Sequence, residues 1–361
     1  MRSPGWLVAV LVAGACSRAG YRPPPPSVSG NAADLEQTEV VPTADSPMQP
    51  GKNVIWCASF QAAWAELKKA LGGDPPGEQQ LVRRLNAARM EPTDLPRNGW
   101  YAAAGRIGNG IVDEIRREMG GRFPGVTPQL ASVGAAPDRL VAYAYLAGEV
   151  KFAHPYFDQK DGGDFVDATG RATRVRSFGL AETGSGSAVN RRLRDQIAVL
   201  YAVKGERDAL LEFVLDLDRG SSSQQLLLAV VEPEETLAAT WTAVRERIAG
   251  WHGSDYDREF GVEDRLAVPN INFDLDRRYD ELVQDNDFML EWAGQRIRFR
   301  LDRSGAEVAD ESNLVAASLP RYFSFTRPFL VALRNRGTEE PYFLMWVANA
   351  ELLDELAADG R

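Results

Sequence analysis

Two short segments constrain the fold more than anything else in the chain: RLVAYAYLA over Arg139–Ala147 and QLLLAVV over Gln225–Val231. Both are apolar at odd and even positions alike. An amphipathic helix would leave a polar stripe and a half-solvated strand would alternate, so these read as central strands covered on both faces. Such strands require large sheets sandwiched between other layers. In ALLEFVLDL over 209–217, Leu211, Phe213, Leu215 and Leu217 share one face, which fits a half-buried strand. Trp56, Phe60, Trp64, Leu67 and Leu71 recur at helical spacing and stop at Gly72-Gly73, an amphipathic core helix. Glu232-Pro233-Glu234-Glu235 places acids in the first turn of a further helix whose apolar pattern runs through Trp241 and Ile248. The C-terminal third returns to strands. With no internal repeat and no regular βαβ alternation, the pattern predicts an α+β domain with large mixed sheets rather than a doubly wound fold. A chain of 361 residues, 44% hydrophobic, can bury the core this needs.

Several chemistries are excluded. A net charge of -10 and a pI near 5.0 argue against a grip on phosphate backbones, so no nucleic-acid partner is expected. Gly105, Gly108 and Gly110 stand in the wrong order for a nucleotide loop and read as a turn. Asp158, Asp161 and Asp164 around Gly162-Gly163 lack calcium-loop spacing and read as a solvated loop. His154 has no nucleophile to serve, and Cys57, within VIWCA, reads as a small buried hydrophobe. Arg296, Arg298 and Arg300 alternate with Ile297, Phe299 and Leu301, which predicts a solvated outer strand face, with a docking stripe as the functional alternative. No catalytic residue, metal-ligand set or cofactor site emerges, and the chain is not expected to be an enzyme.

The N-terminus carries an address. Arg2 precedes the apolar stretch Trp6–Ala13, and Gly14-Ala15 stand directly before Cys16, the layout of an export signal over 1–15. The stretch is too short to span a bilayer, which takes about 20 apolar residues. Val12-Ala13-Gly14-Ala15-Cys16 resembles a bacterial lipobox, although Ala13 stands where Leu is usual. That resemblance implies a lipid on Cys16 and an exported protein held at the outer membrane or cell surface. Residues 16–52 are rich in Pro, Ser, Ala and acids, with Pro23–Pro26 in a row, and predict a disordered tether ahead of a folded domain over 53–361.

In that domain the stretch Ser324-Phe325-Thr326-Arg327-Pro328-Phe329-Leu330, followed by Gly337-Thr338 and the strand 342–347, resembles the C-terminal signature of serpins. Further similarities follow in serpin order. Residues 53–67 resemble an Asn-Val strand leading into a helix, and 145–175 a strand and turn around Pro155-Tyr156-Phe157. Residues 226–251 resemble a core strand ending at Pro233 with a helix after it, and 265–279 a further strand. The helix that precedes the Asn-Val strand in serpins has no counterpart, so this would be a trimmed, single-domain serpin-like protein.

The resemblance also implies an exposed reactive loop. Gly305, Ala306 and Glu307 match its hinge, and the loop runs to about residue 322. In inhibitory serpins a protease cuts this loop, which then inserts into the central sheet. Here the stretch after Val308 and Ala309 reads Asp310-Glu311-Ser312-Asn313 where small residues are usual. Along an inserted strand Ala306, Val308, Asp310 and Ser312 would share one side, which the resemblance places inward, and burying Asp310 there would cost several kcal/mol. The loop is about two residues short, and Leu319 precedes Pro320, a bond most serine proteases cut badly. The sequence therefore implies a non-inhibitory binding or scaffold module with a protein partner. The alternative is a serine- or cysteine-protease inhibitor acting through 305–322.

Overall fold

The computed structural model describes residues 25–89, 93–180, 188–205, 210–221, 223–284, 288–303 and 320–356. The chain begins with β1 (Val28–Asn31) and β2 (Thr38–Val40), linked by a 3₁₀ turn at Ala32–Asp34 that the Asn31 side chain caps. β3 (Asn53–Cys57) leads into α1 (Ser59–Leu71), which ends where Gly72 turns left-handed at φ 78°. α2 (Gln80–Ala87), β4 (Trp100–Arg106) and α3 (Ile111–Arg122) follow, then β5 (Leu140–Glu149), β6 (Phe157–Val166) and β7 (Ala172–Gly179). Next come α4 (Ala188–Asp195), β8 (Ala198–Lys204), β9 (Leu210–Asp216), β10 (Gln224–Val230), α5 (Leu237–Gly250) and α6 (Asp255–Arg258). The last third holds β11 (Arg265–Pro269), β12 (Ile271–Arg278), α7 (Asp280–Val283), β13 (Leu290–Leu301), β14 (Tyr322–Ser324), β15 (Phe329–Asn335) and β16 (Pro341–Val347).

These strands form three mixed sheets, with orders β1-β12-β13-β5-β4, β2-β3-β16-β15-β10-β9-β8 and β14-β11-β7-β6. The five- and seven-stranded sheets face each other. Phe299 on β13 joins them: its ring lies 5.8 Å from Phe273 on β12 and is stacked 4.5 Å from Phe343 on β16. A Cβ at Gly148 would come within 3.0 Å of that ring, so β5 needs a glycine there. Further along the same face, Phe60, Trp64 and Leu67 of α1 pack on Ala142, Ala144 and Ala293. Ile115 and Met119 of α3 cover the opposite face over Tyr143, Tyr145 and Trp292. β5 is thus buried on both sides, as its unbroken apolar run requires.

Four expectations need correction. The disordered tether does not extend over 25–52. β1 adds in parallel to the edge of β12, β2 adds in parallel to β3, and the Glu351 carboxylate accepts from the backbone N–H of Glu36 and Gln37 and from Thr38 Oγ1. Each strand is too short to show periodicity, and an existing sheet edge supplies the hydrogen bonds that order it. The acids 232–235 lie before α5 rather than in its first turn; Thr236 caps the helix by accepting from the Ala239 N–H. Trp56 belongs to β3, and the first core helix starts only at Ser59. Finally, Arg296, Arg298 and Arg300 sit on a central strand. Arg296 forms a fork with Asp274 at 2.7 and 3.0 Å, and Arg300 pairs with Asp302 at 2.7 Å. A carboxylate on the neighbouring strand and one just past the end of β13 take up charge that alternation assigned to solvent, while Arg298 is half-buried.

Candidate functional site

The site with functional potential is the junction where the chain leaves β13 and returns on β14. β13 ends at Leu301, followed by buried Asp302, and the chain re-enters the described structure at half-buried Pro320. Most of the hinge and loop candidates, namely Gly305, Ala306, Glu307, Val308, Asp310, Glu311 and Leu319, lie outside the described residues, as does Cys16. The structure does describe both anchorages.

The return anchorage is a buried ionic clamp. The Arg321 backbone N–H donates to Asp264 Oδ1 at 3.0 Å, and its guanidinium donates to both carboxylate oxygens at 2.6 to 3.2 Å. The remaining N–H groups reach the carbonyls of Asp257 and Glu259 at 2.9 and 2.5 Å. Arg321 is 5% exposed and Asp264 3%, and the guanidinium also lies over the Phe323 ring. The five-donor fork suits this task because one side chain satisfies a carboxylate and two main-chain acceptors at once. The clamp begins at the residue immediately after Pro320.

At the departure anchorage, β13 pairs in parallel with β5 through ten residue pairs from Leu290↔Leu140 to Arg300↔Glu149. Beneath this seam lies a buried polar cluster. Gln295, 2% exposed, donates from Nε2 to the Tyr279 hydroxyl and accepts at Oε1 from the Cys57 thiol at 2.9 Å; Ser59 Oγ stands 3.1 Å from that sulfur. Burial pushes the Cys57 thiol up to about 12. The buried thiol is thereby kept neutral and donates a hydrogen bond. The cluster ties the β3–α1 corner to the middle of β13.

His154 meets Gln196 through its backbone N–H and carbonyl. Asp158, Asp161 and Asp164 lie on β6 rather than in a loop, Asp164 pairs with Arg174 on the surface, and no group of three metal-ligating side chains occurs among the described residues. Gly110 turns left-handed at φ 82° to start α3. Cys57 is more than the buried hydrophobe expected, since it joins the polar cluster. Sequence reasoning missed Arg321–Asp264 and Gln295–Tyr279 entirely: the partners are 57 and 16 residues apart, and no local pattern joins them.

No family model and no curated protein sequence matches this chain. Solved structures do. It is similar to native protease nexin-1 with heparin, at 13% identity and a TM-score of 0.50 over 83% of this chain and 93% of that one. A thyroxine-binding globulin complex with thyroxine matches at 14% identity and a TM-score of 0.51, over 83% and 94%. The mouse protein-Z dependent protease inhibitor matches at 14% identity and a TM-score of 0.53, over 84% and 91%. The chain has the serpin fold. This bears out the fold inferred from the Arg327-Pro328-Phe329 signature. β13 ends just before residues 304–319, and the Arg321 clamp holds the chain just after them.

Proposed function

We propose that this serpin-fold protein is exported, held at the bacterial envelope by a lipid on Cys16, and works by binding a protein partner without catalysing a reaction or trapping a protease. The Arg321–Asp264 clamp carries the non-inhibitory part of this reading. A protease cutting after Leu319 must seat the following residues in its cleft, and Arg321 is the second of them. Drawing it out would leave the buried Asp264 carboxylate without its partner, at about 3 to 5 kcal/mol. Insertion of a cut loop would also have to part the ten-pair β5–β13 ladder and bury Asp310. The inhibitor reading is favoured by the Gly305-Ala306-Glu307 hinge and by the mouse structural neighbour, named a protease inhibitor.

Nicking the loop between Val308 and Leu319 separates the two. We expect the melting temperature at neutral pH to stay level or fall. Asp310→Ala with Glu311→Ala should raise the cut form more than the intact one. A large rise on cutting the unmodified chain, or a protease complex that survives a denaturing gel, would establish the inhibitor instead.

A further inference from the structure

Where β10 ends and β15 begins, the chain leaves a cavity of about 690 Å³. Its floor is buried and apolar, made by Val230 and Val231 at the end of β10 and by Trp346 and Ala348 around the end of β16. Half-buried Met48, within the segment 47–51, forms a side wall. Two hydrogen bonds pin that wall, one from the Met48 N–H to Glu235 O at 2.9 Å and one from Asn349 Nδ2 to Gly51 O at 2.9 Å. The cavity is therefore preformed, and its size falls within the range that small organic ligands fill, about 300 to 1,000 Å³.

The charge around this apolar space is mostly of one sign. Glu232, Glu234 and Glu235 line it, all are exposed, and none pairs with a cation among the described residues. Arg327 also lines it, but its guanidinium donates to the Leu211 carbonyl. Lys52, the residue after the wall, is turned to Glu39 at 3.2 Å. Carboxylates without a counter-ion beside an apolar floor favour a ligand that brings apolar surface and positive charge together. Trp346 suits the same ligand, because indole attracts cations more than the other aromatic rings do. We propose that the cavity binds an amphiphilic organic cation, with an alkyl or aryl group over Val231 and Trp346 and an ammonium head among the glutamates. The site uses no residue of the Arg321 clamp and requires neither a lipid on Cys16 nor a protein partner.

Calorimetric titration of the full chain with octyltrimethylammonium and with octanesulfonate, both below their micelle concentrations, tests the sign of the head on one and the same tail. The cation should bind at least roughly tenfold more tightly in low salt, and the gap should narrow in about 0.5 M salt. Because the whole chain carries a net charge of -10, a variant has to separate the local carboxylates from the overall field. Glu232→Gln, Glu234→Gln and Glu235→Gln together should weaken the cation about tenfold and leave the sulfonate unchanged or tighter, with the unfolding midpoint of wild type. A photoactivatable diazirine on the octyl tail of the cation should label residues 47–51, 230–235 or 346–348. Absence of cation binding, labelling confined to other segments, or a preference that survives in the triple variant would overturn the site. Equal affinity for the two heads would overturn it too, leaving a hydrophobic cleft with no choice of charge.

Discussion

The two large sheets of this protein solve the same burial problem in opposite ways. At the centre of the seven-stranded sheet, β10, β15 and β16 pair antiparallel, and every residue of Phe329–Leu333 and Pro341–Val347 is buried and apolar. At the centre of the five-stranded sheet, β5 and β13 pair in parallel, and β13 carries buried Gln295 and Arg300 among its apolar residues. The first sheet is held by packing, which is non-directional and tolerant. The second relies on hydrogen-bonded partners, each of which is costly to leave alone. The seven-stranded sheet is apolar at its centre, with buried Asn53, Asp216 and Gln225 near strand ends, whereas the five-stranded sheet carries Gln295 in the middle of β13. Sensitivity to a lost partner should therefore concentrate in the β5–β13 seam.

The largest effect should come from the packed platform. Phe343→Ala removes a ring stacked on Phe299 between the sheets and should destabilise by about 3 to 5 kcal/mol, measured by denaturant unfolding with an unchanged slope. Gln295→Leu should cost less, about 2 to 4 kcal/mol, by stranding the Cys57 thiol and the Tyr279 hydroxyl. Its signature is local: amide exchange should quicken at β5 and β13 more than at β15 and β16. Uniform quickening in both sheets would break the comparison, because the seam would then have no weakness of its own.

The smallest effect is one the two sheets share. Burial, with neighbouring Asp216, pushes the Asp218 carboxyl at the end of β9 up to about 6 against the pull of Arg336. Burial likewise pushes Asp276 on β12 up to about 6, with Arg296 opposing and Asp274 adding to the rise. Both groups bind protons more tightly folded than unfolded, where a carboxyl titrates near about 3.9. Each therefore costs stability above about pH 6, and that cost is relieved as pH falls from 6 towards 4. The melting temperature of wild type minus that of Asp218→Asn/Asp276→Asn should rise between pH 7 and pH 5. A difference that falls over that interval would mean the carboxyls are held down rather than up.

Sequence alone determined the parts of this protein that depend on local pattern. Arg139–Ala147 and Gln225–Val231 declared themselves as strands covered on both faces, α1 declared its buried stripe, and the Arg327-Pro328-Phe329 signature pointed to the fold. Tertiary structure alone decided the rest, because it depends on which distant residues meet. β1 and β2 exist because β12 and β3 offer free edges to residues too few to show a period. Arg296 and Arg300 of β13 are drawn in because Asp274 and Asp302 meet them, and solvated and paired charges look alike in one dimension. Arg321 finds Asp264 across 57 residues, and Cys57 finds Gln295 across 238. A hydrogen-bond partner that far along the chain leaves no periodic trace, so only the folded structure could reveal what holds the chain at Arg321.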